Sequence, residues 1–370
     1  MRDRPDFNPS VAALPPYNAG MNVEVARRLS GRQDIARLAS NENPDGCSPK
    51  VLEALASAAF EPARYADPAC TLLREAIARD TGAPIETIVC GNGSEEMIAA
   101  IARATLTPGR TALTVVPSFG LHEIEPLAAG ARVVKVPMTP AFGFDLDALE
   151  AALAKVPAVV FLSSPWNPVG PALDRDGLRR LIAATPPRTL FVLDEAYFEY
   201  ADEGGPDGIE VLRASGIPHA VLRTFSKAYG LAGLRAGYAV CSDAETARVV
   251  AAAKTPFNVN AAAQVAAVAA LDDKAWMRAS VKRLKDERAR VRDGLEGLGF
   301  RVAPSQTNFL FFDCGGDSAD FVAALLKEGI IVKAWREPGF TTYMRATIGT
   351  PSENDRLIVA LAASDRHDCA

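Results

Sequence analysis

Between about residues 85 and 245 the chain alternates short Val/Ile/Leu-rich runs with amphipathic stretches. The runs TIVCG, TALTVV, ARVVKV, AVVFLS, TLFVLD, AVLRTF and AGYAVC are apolar along most of their length, the pattern of strands buried on both faces of a sheet. They predict an α/β fold with a sheet of about seven strands, mostly parallel and sandwiched by helices. Helical spacing appears in GSEEMIAAIARATL (93–106), which Ser94 is expected to cap, and in LDRDGLRRLIAAT (173–185). Beyond residue 245 the character changes to an alanine-rich and then strongly charged helix over roughly 261–298. It leads into RVAPSQTNFLFFDC, the helix SADFVAALLKEG, the strand IIVKAW and a final YMRATIGT, together a smaller α+β domain. The expected division is a 1–40 segment packing on the small domain, a large domain over 41–260, and a linker helix with the small domain over 261–370. A ligand cleft belongs between the two domains.

Composition narrows the function. The 370 residues are 49% hydrophobic and 23% charged, enough for a large core. A net charge of -5 with no local Lys/Arg run argues against nucleic acid and for small-molecule partners. The most apolar stretch, AAAQVAAVAAL (261–271), is too short to span a bilayer, so no membrane is implicated and the cytoplasm is the expected location. Six scattered cysteines without CxxC spacing read as reduced thiols, not disulfides or a metal site. Only three histidines, far apart in sequence, make a histidine triad or metal centre improbable and leave lysine as the acid/base candidate.

That lysine is Lys227, set in RTFSKAYGLAGLRAGY with Arg235 eight positions on. A site for pyridoxal phosphate needs an amine, an anion for the ring nitrogen, donors for the phenolic oxygen, a phosphate cradle and a stacked group. Lys227 supplies the amine, which must be neutral to attack a carbonyl. Arg235, Thr224 and Ser226 offer phosphate contacts, and the helix beginning at Gly93 and Ser94 is either an ordinary capped helix or an anion site. Asp194, ending LFVLD, either faces a protonated ring nitrogen or caps the next turn. Tyr197 lies three residues on. Asn167 is a turn residue or a donor, and Phe119 a core residue or a stacked ring. Arg345, on an otherwise apolar strand, meets either a substrate anion or an internal partner.

In this combination the chain resembles the class I/II, fold-type-I pyridoxal-phosphate aminotransferases, and most closely the histidinol-phosphate branch. The motifs LPPYNAG, LASNENPDG, RYADP, CGNGSEE, PSFG, SPWNPVG, DEAYFEY, RTFSKAYGLAGLRAGY, TNFLFF and MRATIGT occur in that family's order. The resemblance implies that Lys227 carries pyridoxal 5'-phosphate as a Schiff base and later moves the substrate proton. It implies that Asp194 pairs with the ring nitrogen, that Tyr197 and Asn167 hold the phenolic oxygen, and that Phe119 stacks on the ring. Gly93, Ser94, Glu95, Thr224, Ser226 and Arg235 then bind the phosphate, joined by Tyr65 from the neighbouring subunit of a homodimer with shared active sites. Tyr17 and Arg345 contact the substrate. The chain departs from the branch at Trp166, which puts bulk beside the cofactor turn, and at Lys333, where arginine is usual and Arg336 follows three residues on. Histidinol phosphate with 2-oxoglutarate is the implied substrate pair. An aromatic amino acid aminotransferase or a lyase such as threonine-phosphate decarboxylase would share the same scaffold. A DNA-binding regulator built on this fold is disfavoured, since no helix-turn-helix pattern or basic patch is present.

Overall fold

The seven apolar runs form one sheet in the computed structural model, which describes residues 5–14, 20–58, 61 and 63–363. From one edge to the other the strands are Ile88–Gly91, Gly237–Cys241, His219–Thr224, Leu190–Asp194, Val159–Ser163, Thr111–Val116 and Arg132–Pro137. Gly237–Cys241 runs antiparallel to both neighbours, and every other pairing is parallel. Alternate residues feed two cores. Val159, Phe161, Leu190, Val192, Ala220 and Leu222 face one side, packed against helix Ser94–Thr105, while Val160, Leu162, Phe191, Leu193 and Val221 face the other. Two buried faces per strand account for the continuous apolar runs.

The C-terminal part builds a second, antiparallel sheet in the order Lys333–Ala334, Tyr343–Thr347, Phe309–Asp313, Arg301–Val302. The expected single helix over 261–298 is two, Ala261–Leu271 and Lys274–Gly297, because Asp273 caps a new start by accepting Trp276 N–H. Residues 36–38 run between the ends of this region: Ala36–Arg37 pair in parallel with Ile330–Ile331, and Leu38 O accepts Thr347 N–H at 2.8 Å. Helix Val23–Ser30 lies against helix Ser318–Lys327, whereas the short helix Pro9–Ala12 touches Leu121–Ala128 beside the large sheet. The five cysteines among the described residues are free thiols.

Candidate active site

In an open parallel sheet, ligands collect outside the carboxyl ends of the strands. There the structure has a cleft of about 700 Å³ lined by residues that follow five of those strands, by the strap 39–42 and by residues of the C-terminal sheet. Gly93, Ser94, Glu95, Phe119, Asn167, Asp194, Tyr197, Thr224, Ser226, Lys227, Arg235 and Arg345 all line it. A more voluminous groove, between helices Ser318–Lys327 and Pro351–Ala363, contains none of them.

Lys227 stands half-buried at the floor, in the turn that leaves strand His219–Thr224. Burial first, and then the Arg345 guanidinium, push its amine down to about 8. Its Nζ donates to Ser40 O at 3.1 Å and lies 5.9 Å from the Tyr197 ring centre. Lys333, which also lines the cleft, is lowered to about 8 by the same two causes.

Asp194 ends its strand fully inside the protein, where an unpartnered carboxylate would cost several kcal/mol, on the order given by burial of isolated charges. The protein supplies partners: Asp194 Oδ1 accepts Ala196 N–H at 3.1 Å, and Oδ2 lies 3.1 Å from His122 Nε2. His122 is wholly buried, stacked on Phe161 at 5.6 Å and edge-on to Phe119 at 5.7 Å. Its role was invisible in sequence, since it sits in a helix 72 residues away from the aspartate it meets. The next residue, Glu195, belongs to a different buried pair. Arg223 Nε and Nη2 donate to its Oε2 at 2.9 and 2.7 Å, and Nη2 also reaches Asp207 at 2.9 Å.

On the other side of the lysine, helix Ser94–Thr105 points its N-terminus into the cleft. Ser94 is not the cap expected from the sequence. Gly93, at φ 77°, occupies that position and makes no side-chain cap bond, while Ser94 is the first helical residue. The loop is tied instead by Glu96, whose Oε2 accepts Asn92 N–H at 2.7 Å. Gly237 lets this end lie on the adjoining strand: a Cβ there would be 2.6 Å from Gly93 C and nearer still to Ser94 N. Thr224 and Ser226 hydroxyls bond to each other at 3.0 Å on the same rim. Arg235 projects from a left-handed residue, φ 64°, and its Nη2 pairs with Glu95 at 3.0 Å.

Arg345 is held by neutral oxygens of the cleft. Nη1 donates to Asn167 Oδ1 and Nη2 to Ala39 O, both at 2.6 Å. The Trp166 indole is buried against Phe144 at 4.6 Å, and its Nε1 donates to Pro117 O at 2.9 Å, which sets its bulk against the turn that carries Phe119. Arg336 pairs with Asp317 at 2.6 Å. Tyr65 is outside the cleft, 83% exposed and stacked on Phe257 at 4.4 Å. Tyr17 lies outside the described residues.

The strand order, the single reversed strand and a lysine at the carboxyl ends of the sheet define the fold-type-I architecture of the pyridoxal-phosphate transferases. Within it, the chain belongs to the aminotransferase class I and II family, whose profile matches residues 33–361. It is 44% identical over 353 residues to histidinol-phosphate aminotransferase 3 of Rhizobium meliloti, with 95% of each chain covered. Histidinol-phosphate aminotransferase 1 of Mesorhizobium japonicum is 42% identical over 349 residues, 94% of this chain and 95% of that one. The crystal structure of histidinol-phosphate aminotransferase from Sinorhizobium meliloti in complex with pyridoxal-5'-phosphate matches with a TM-score of 0.89 at 31% identity, covering 98% of both chains.

Proposed function

We propose that this protein is a pyridoxal 5'-phosphate-dependent aminotransferase that moves the amino group of histidinol phosphate to 2-oxoglutarate. The observation that carries the reading is Lys227, an amine lowered to about 8 between a buried imidazole-carboxylate pair and an uncapped helix N-terminus. The residues fit the cofactor: Gly93 and Gly237, lacking side chains, leave the first helical N–H groups at the rim beside two hydroxyls and a guanidinium.

When bound, pyridoxal 5'-phosphate supplies a carbonyl that condenses with amines and a ring that accepts the electron pair left at the substrate carbon. Lys227 provides the amine that holds the cofactor and, once released, would take the proton from the substrate carbon and deliver it to the cofactor carbon. Asp194, oriented by His122, keeps the ring nitrogen protonated. Asn167 gives its amide oxygen to Arg345, which leaves the amide N–H groups for the phenolic oxygen, alongside Tyr197. Phe119 stacks on the ring. The N–H groups of Gly93, Ser94 and Glu95, with Thr224, Ser226 and Arg235, hold the phosphate. Arg345 anchors the substrate, and Lys333 stands near enough to Arg345 to feel its charge, a second cation for a phosphorylated donor. Tyr65 reaches the phosphate of a second subunit in a homodimer, a reading supported by its exposure together with the Phe257 ring stacked on it.

Single-turnover absorbance spectra of the purified holoenzyme test the substrate. Histidinol phosphate is expected to discharge the cofactor band at lower concentration than phenylalanine or tyrosine. Discharge by the aromatic amino acids alone would replace histidinol phosphate with that class.

A further inference from the structure

Three consecutive residues of the strap touch three groups at the cleft floor: Ala39 meets Arg345, Ser40 meets Lys227, and Asn41 meets Tyr197. The first two contacts use backbone carbonyls, which any residue type offers. The third depends on a side chain. Asn41 Nδ2 donates to the Tyr197 phenol oxygen at 2.7 Å, with both residues buried. The far end of the amide sets the direction of that bond. Thr347 Oγ1 accepts the Asn41 backbone N–H at 2.9 Å and gives its own single proton to Asn41 Oδ1 at 3.0 Å. In this arrangement the amide oxygen faces Thr347 and the amide nitrogen faces Tyr197. Asn308 Nδ2 donates to the Asn41 carbonyl at 3.0 Å and fixes the backbone as well. Asn41 sits at φ 55°, in the left-handed region that asparagine tolerates better than most residues.

We infer that Asn41 is a positioning residue that holds the Tyr197 phenol in the donor role. A phenol has one proton and two acceptor lone pairs. With Asn41 donating into the oxygen, the phenol acts as donor to its next partner, and the incoming bond strengthens that donation by roughly 10–30%. The inference rests on the reading above, in which Tyr197 serves the phenolic oxygen of the cofactor. Aspartate at this position has the same shape and tolerates the same backbone, but it only accepts. It would draw the Tyr197 proton onto itself.

Asn41→Asp and Asn41→Gly, each alone and combined with Tyr197→Phe, test this with two readouts: the visible absorbance band of the holoenzyme at fixed pH, and the cofactor Kd from fluorescence titration of cofactor-free protein. Glycine keeps the positive φ and removes the donor to Tyr197 together with the acceptor of the Thr347 hydroxyl. Asn41→Asp is expected to raise Kd about tenfold and Asn41→Gly about threefold. Both should shift the band in the direction of Tyr197→Phe, and neither should add to that variant. Equal losses in the presence and absence of the tyrosine hydroxyl would make Asn41 a merely structural residue and overturn the inference, leaving the cofactor reading intact. If Tyr197→Phe alone changed neither readout, the assignment of Tyr197 would fail and the inference with it. Should circular dichroism show Asn41→Asp unfolded, the glycine series decides.

Discussion

The lowered amine of Lys227 makes cofactor capture level off with rising pH over a range where an ordinary lysine would still climb about tenfold per unit. With ionisation at about 8, about one amine in eleven is neutral at pH 7, against about one in three thousand for a lysine near 10.5, an advantage of about 300-fold. From pH 7 to 8 the neutral fraction rises about fivefold, and from 8 to 9 less than about twofold. The assay is stopped-flow absorbance of cofactor-free protein mixed with pyridoxal 5'-phosphate, divided at each pH by the rate for Nα-acetyl-lysine so that the cofactor's own titration cancels. The ratio should fall steadily above pH 8. A constant ratio between pH 7 and 9.5 would refute the reasoning. Arg345→Gln, which removes the second cause of the shift, should move the break upward; Arg345→Lys should hold it nearer its place. The same displacement has a stability consequence of defined sign. Between about 8 and 10.5 the unfolded chain binds more protons at this lysine than the folded one, so the cofactor-free protein gains stability with rising pH across that window.

Gly237→Ala drives a methyl into Gly93 and Ser94 and should destabilise the protein by about 1–3 kcal/mol in urea titration while weakening cofactor binding. No loss in either would mean that the helix end shifts freely. Arg223→Met strands the buried Glu195 carboxylate and should cost about 3–5 kcal/mol, with Glu195→Gln/Arg223→Met recovering much of it; an exposed-pair value below about 1 kcal/mol would contradict the burial. For the proposed homodimer, mixing Lys227→Ala and Tyr65→Ala subunits at equal amounts should restore about a quarter of wild-type sites, since only one site of each mixed dimer is whole. Activity that stays at the average of the two parents would place Tyr65 outside the partner's site.

The large sheet was legible in the sequence because each strand is buried on both faces and therefore reads as a solid apolar run with polar residues at its end. Those ends carry Asp194, Asn167 and Lys227, so local pattern and candidate chemistry coincide. What escaped depends on contacts between distant segments. His122 reads as one polar residue in a short helix, and only the packing of that helix against the sheet turns it toward Asp194. Asn41 is 156 residues from Tyr197, and nothing within the strap announces the partner. Ser94 misled for a local reason. Gly93, in the left-handed region, starts the helix one residue earlier than a serine cap would. The packing of Trp166 on Phe144 is tertiary too, since the partner ring comes from a separate segment.

The reversed strand Gly237–Cys241 has a consequence for economy of construction. A parallel strand in its place would require a crossover that carries the chain to the far edge of the sheet and back, and Arg235 would enter from the wrong end. Because this strand runs the other way, residues 225–236 form a return from which Ser226, Lys227, Ala232 and Arg235 all line the cleft. Its start, Gly237, lies opposite Gly91, the end of the strand that feeds helix Ser94–Thr105. One turn of chain thus delivers an amine at Lys227 and a guanidinium at Arg235 to the same mouth. The distance between these two charges is set by the reach of a single loop, and lengthening that loop would separate the amine from the guanidinium without disturbing a strand of the core.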